Sequence, residues 1–202
     1  MNSKNAAWIK ISGVSGILAP LVAFTFISLA IAYSPQFSWT ENALSDLGVQ
    51  EGVTAILFNY GLIIVGILAL VFASGLFVSQ KTMLGKIAAF IFVLAAFALM
   101  AIGVLPENVK PTHYYVSVGF FVLFPISTLV LSATFLLTAK VKLGLFTFLT
   151  SIIAVLVWVL QFAMRYVPNV AIPETISALS VSTWSIVLGF KMLKEASQST
   201  KQ

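Results

Sequence analysis

The sequence predicts an all-α protein: a polytopic transmembrane bundle of six helices, with both termini cytoplasmic and a short interfacial helix in the first outer loop. Three observations lead there. Only 8% of the 202 residues are charged, 60% are hydrophobic, and the mean hydropathy is +1.06. A soluble domain carries roughly 25% charged residues, and a water-facing surface cannot be built from so few. Six apolar stretches are each long enough to cross a bilayer, and the cations gather in alternate connections.

A spanning helix needs about 20 predominantly apolar residues to cross hydrocarbon. The first stretch runs from about Ile11 to Tyr33 and the second from about Val53 to Ser79. The third covers about Ile87 to Leu105 and the fourth about Tyr114 to Ala139. The fifth extends from about Leu145 to Tyr166; the sixth, from about Glu174 to Phe190, is the least apolar. Together they predict one six-helix membrane domain over residues 1–202. The opening MNSKNAAWIK lacks the small-residue pattern of a signal cleavage site, so the first span is expected to be retained.

Orientation follows from the lysines. Lys4, Lys10, Lys81, Lys86, Lys140, Lys142, Lys191, Lys194 and Lys201 fall on one side of the six spans. Only Lys110 and Arg165 fall opposite, together with Glu41, Asp46, Glu51, Glu107 and Glu174. The positive-inside rule then places both termini in the cytoplasm of a cell-membrane protein. Trp8, Tyr33, Trp39, Tyr60, Tyr114, Tyr115 and Tyr166 lie near predicted span ends, where aromatic belts form.

Within the spans, Gly13, Ser15, Gly16, Gly61, Gly66 and Gly75 suit close helix approach. The sixth carries Ser177, Ser180, Ser182, Thr183, Ser185 and Gly189, which predicts a place inside the bundle. Pro20 and Pro125 each remove one helical hydrogen bond.

Composition also excludes function classes. With no cysteine there are no disulfides, thiolate nucleophiles or iron–sulfur clusters, and one histidine cannot ligate a bis-histidine haem. No cofactor or protein-bound metal is predicted. The scattered lysines form no nucleic-acid patch. No ionisable residue lies at mid-bilayer, which argues against proton pumps, ion-coupled transporters and retinal proteins.

The candidate site is a polar cluster at the outer face. WTENALSDLG, Trp39 to Gly48, reads as an amphipathic helix with Trp39, Ala43, Leu44 and Leu47 on one side. Its other side presents Glu41, Asn42, Ser45 and Asp46. Asn59, Glu107, Asn108 and His113 follow in the next outer segments. Gln161 and Arg165, four apart, share a helix face, and Glu174 opens the sixth span behind Pro173. Arg165 breaks the positive-inside trend, so it is expected either to pair with Asp46, Glu41 or Glu174 or to recognise an anionic headgroup.

FSWTENALSDLGVQEG, FNYGLIIVGIL and GVLPENVKPTHYYVSVGFFVLFPIS resemble the six-helix membrane family known as domain of unknown function 998, mainly archaeal and bacterial. The distinctive parts are Ser45–Gly48, Asn59, and Pro106, Glu107 and His113. The layout is also similar, distantly, to eukaryotic six-helix proteins linked to membrane trafficking and lipid organisation. The resemblance implies a shared outer-face site and no particular activity.

Binding of a lipid headgroup, small amphiphile or partner at Glu41, Asn42, Ser45, Asp46, Asn59, Glu107, His113, Gln161, Arg165 and Glu174 is the primary expectation. Membrane lipids, a membrane protein or a second copy of the chain are the expected partners. An intramembrane lipid-modifying enzyme is the alternative, with Asp46 and His113 as an acid–base pair or, with Glu41 and Glu107, metal ligands. It requires Asp46 and His113 to meet. A small transporter is the third possibility.

Overall fold

The computed structural model describes residues 3–199 and contains six long helices, no strand among these residues, and one short 3-10 helix. The helices are α1 (Ser3–Ala32), α2 (Val53–Ser79), α3 (Met83–Val104), α4 (Thr112–Leu137), α5 (Val141–Met164) and α6 (Ala171–Ser199). The 3-10 helix, Leu44–Val49, lies between α1 and α2. Each of the six is long and apolar enough to cross a membrane. In hydrocarbon a helix is favoured because it satisfies its backbone polar groups internally. The chain is a multi-pass membrane protein. Lys201 lies outside the described residues.

Local chemistry sets several helix ends. The Thr82 hydroxyl caps α3 by accepting from the Gly85 amide at 3.1 Å. At the other end of α4, Ala139 has φ 58° and the Lys140 amide donates back to Phe135 at 2.8 Å. α5 stops where Arg165 turns left-handed, at φ 45°. α4 and α1 continue through Pro125 and Pro20.

Four apolar stretches match α2 to α5 within a few residues, but the first and last helices overrun theirs. α1 begins eight residues before Ile11, and α6 continues past Phe190 to Ser199. Packing explains the excess. Ala6 and Ile9 are buried on the early turns of α1, and Met192 and Ala196 on the late turns of α6. Lys191 and Glu195 add an ion pair at 2.8 Å, one turn apart. An amphipathic helix needs only one apolar face, so it outlasts the uniformly apolar stretch.

Each helix packs on its neighbours in sequence, and α6 returns to α1 to close a ring. The α1–α6 seam is tight: a Cβ on Gly189 would lie 2.6 Å from the Gly13 carbonyl. Inside the ring, Phe72, Phe92, Phe124 and Trp184, from α2, α3, α4 and α6, meet mostly edge to face. Trp184 is fully buried. Ser177, Ser180, Ser182 and Ser185 turn inward on α6 as expected, whereas Thr183 is exposed.

Candidate functional site

The end of the bundle opposite the termini carries residues 33–52, 105–111 and 165–170. The first of these is not helical over the whole of Trp39–Gly48, the stretch expected to form a short amphipathic helix. Turns lead through Glu41, and the 3-10 helix starts only at Leu44. Local side-chain bonds explain the difference. Asn42 Oδ1 accepts from the Ser38 amide at 2.9 Å. Asp46 Oδ2 accepts from Asn42 Nδ2 at 2.8 Å and from the Ala43 amide at 2.9 Å. Such short polar side chains compete with helical backbone bonding.

The segment is inserted into the bundle end. Leu47 is 0% exposed, and Leu44, Ser45 and Gly48 are also buried. Asn59 Nδ2 donates to the Gly48 carbonyl at 2.8 Å, fixing the segment to α2. Loop 165–170 binds its other side. The Asn169 amide donates to Thr40 O at 2.9 Å, the Ala171 amide to Asn42 O at 3.0 Å, and Asn169 Nδ2 to Glu41 O at 2.9 Å. Gln161 in turn holds that loop, donating to the Val167 carbonyl at 2.9 Å.

Three acids converge on this plug. Glu174 Oε2 accepts from the Leu44 amide at 2.6 Å, and Glu107 Oε2 from the Ser45 hydroxyl at 2.9 Å. Glu107 and Asp46 are both close enough to repel a charge on Glu174. His113 is buried, with Nδ1 2.6 Å from the Leu105 carbonyl and Nε2 3.3 Å from the Ser117 hydroxyl. A carbonyl only accepts, so Nδ1 carries a proton, and in the neutral ring Nε2 then accepts from Ser117.

These groups close one end of a cavity of about 1140 Å³ that runs between α4 and α5. Phe121 and Pro125 of α4 and Ala154, Val155 and Trp158 of α5 form its apolar walls. Trp158 packs on Phe121 at 4.7 Å between ring centres, and its Nε1 donates to the Ser177 hydroxyl of α6 at 2.9 Å. Val122, Ile126 and Val159 line the cavity yet are exposed on the bundle's outer surface. The cleft therefore opens sideways, where lipid would surround a membrane protein.

The cavity sorts the candidate residues. Ser45, Glu107, His113 and Glu174 line it; Glu41, Asn42, Asp46, Asn59, Gln161 and Arg165 do not. Asp46 and His113 do not form the acid–base pair weighed from the sequence, since each is bonded to other groups. Nor do Asp46, Glu41 and Glu107 assemble a metal site: among the described residues no three His, Asp or Glu side chains come together in that way. Arg165 is exposed and makes no ion pair with any described carboxylate.

The sequence left Asn169, Lys110, Ser117 and Trp158 out of the site. Trp158 carried a signal: a tryptophan more than a turn inside a span sits outside the usual interfacial belt. Asn169 and Ser117 carried none.

No curated protein and no solved structure is similar enough to the chain to count as a match. Residues 17–191, however, match the family described as "protein of unknown function (DUF998)". The match covers all six spanning helices in whole or part and the entire acidic end, and the chain belongs to that family.

Proposed function

We propose that this protein binds an amphiphile, its apolar tail lying between α4 and α5 and its polar head against Ser45, Glu107, His113 and Glu174. The acidic end then faces outward, with both termini cytoplasmic, as the lysine distribution favours. One observation carries the reading. A cavity of about 1140 Å³ with apolar walls, open toward lipid, ends in a polar group of two buried residues, Ser45 and His113, and two half-buried acids, Glu107 and Glu174. Ligand sites are mostly apolar pockets of about 300–1,000 Å³ with a few placed polar groups, and this one lies just above that range. A lipid-modifying reaction through Asp46 and His113 gains no support, because each side chain is hydrogen-bonded to other groups and not to the other.

Native mass spectrometry of the protein released from mild detergent tests it. Val155, half-buried in the cleft wall, is the position to fill. Wild type is expected to retain a co-purified amphiphile, and Val155→Phe to lose it at an unchanged melting temperature. A wild-type protein that retains nothing and binds no added amphiphile, or a Val155→Phe variant that binds as wild type does, overturns the proposal.

A further inference from the structure

The head end of the cleft offers acceptors and few free donors, the exposed Tyr114 hydroxyl being one of them. Glu107 and Glu174 both line it, and a carboxyl group only accepts hydrogen bonds in the ionised form that would pair with a cation. Ser45 already donates to Glu107, and the Leu44 amide to Glu174. His113 directs its Nδ1 proton to Leu105, and its Nε2 is occupied by the Ser117 hydroxyl. Asn169 Nδ2 is held by the Glu41 carbonyl. Among the lining residues the remaining cation is Lys110, whose side chain is 73% exposed and lies 3.9 Å from Glu107.

Glu174 has no cation to match it. Among the described residues it forms no ion pair, and its Oε1 makes no hydrogen bond. Two further carboxylates repel it. A carboxylate withdrawn from water is costly unless it is paired, and attraction between opposite charges strengthens where water is excluded. An aromatic ring stands nearby as well. Trp158 is bonded to Ser177, which lies three residues, one helical turn, beyond Glu174 on the same face of α6. Ammonium groups are attracted both to carboxylates and to the faces of such rings.

From this we infer that the amphiphile held in the α4–α5 cleft bears an ammonium headgroup, seated between Glu174 and Glu107 with its methylenes toward Trp158. The inference rests on the cleft-binding proposal and adds the class of headgroup. An anionic head would meet two carboxylates and a single exposed lysine. The ammonium could belong to a free long-chain amine or to an amine-bearing bilayer lipid, and these share the same recognition chemistry.

The test is a titration followed by native mass spectrometry with dodecylamine, dodecanol and dodecanoate, which share one chain length and differ in the head. Wild type is expected to bind the amine roughly tenfold or more tighter than the alcohol, and the carboxylate weakest. Glu174→Gln retains an oxygen to accept from Leu44 but removes the charge, so it is expected to erase the amine preference and leave dodecanol binding unchanged. Should that variant fail to fold, Glu107→Gln is expected to reduce the same preference. A second arm compares phosphatidylethanolamine with phosphatidylglycerol. Preferential retention of the former assigns the ammonium to a bilayer lipid, and an amine preference without it assigns a free amine. Equal binding of all three dodecyl compounds, tightest binding of dodecanoate, or an amine preference that survives both substitutions overturns the inference and leaves the cleft as a binding site. Binding of none of them to wild type overturns the cleft itself.

Discussion

Ser45, Asp46, Leu47 and Gly48 each have a different duty. Ser45 donates to Glu107, Asp46 accepts from the Ala43 amide, Leu47 fills the core, and Gly48 lets α2 approach. A Cβ on Gly48 would lie 2.5 Å from Asn59 Oδ1 and 3.0 Å from Phe58 Cδ1. Gly48→Ala is therefore expected to cost about 1–3 kcal/mol through overpacking. In Gly48→Ala/Asn59→Ala the clash with Oδ1 is gone, so the double variant should lose less than the sum of the two singles. Denaturation midpoints for the four proteins check this. At Arg165 the backbone matters and the charge does not. Its φ of 45° disfavours a side chain, whereas glycine accepts it freely. Arg165→Gly is expected to stabilise by about 1 kcal/mol and Arg165→Ala to change stability by less than about 0.5 kcal/mol. A large loss in the alanine variant, read from thermal unfolding in detergent, would restore the ion pair that the sequence suggested.

Among the elements, α1 and α6 depend on one another most visibly. Gly13 and Gly189 face each other across the seam, and a Cβ on Gly75 would strike Ser12 from α2. Closely approaching backbones are how membrane helices gain packing when lipid is as apolar as their side chains. Gly189→Leu is expected to cost about 3 kcal/mol or more, because the nearest obstruction is the immovable Gly13 carbonyl of the facing helix, with the Ile17 side chain next to it. Folded yield and monodispersity after extraction measure it, and wild-type values would show that the seam is loose. The α4–α5 pair is joined in a different manner. Ser132 donates to the Gly144 carbonyl at 2.8 Å and Ser151 to Thr128 at 2.7 Å, both far from the acidic end. Toward the acidic end the two helices leave the cleft between them.

Across the whole molecule, six helices in ring order enclose an aromatic centre, and the cleft stands at one side of it. Hydropathy was enough to find the helices, because hydrocarbon tolerates few other backbones and the requirement is written as long apolar stretches. It was less able to find their ends: α1 and α6 extend by pairing one apolar face with each other, and α6 adds an ion pair at Lys191. Of the polar residues marked in the sequence, Ser45, Glu107, His113 and Glu174 reach the cleft, while Asp46, Asn59 and Gln161 hold loops in place. Both groups consist of polar residues at the same end of the spans. Only the direction of each side chain separates them.

Six apolar helices, their order and the alternation of lysine-rich with acidic connections were determined by the sequence alone, since each depends on composition within one short segment. The tertiary structure decided the rest: the insertion of Leu44–Val49 into the bundle end, the placing of Glu107 and Glu174 on one cavity, and the cleft between α4 and α5. Those features join residues tens to more than a hundred positions apart, as the Leu44–Glu174 bond does, and a periodicity within one helix carries no record of such partners.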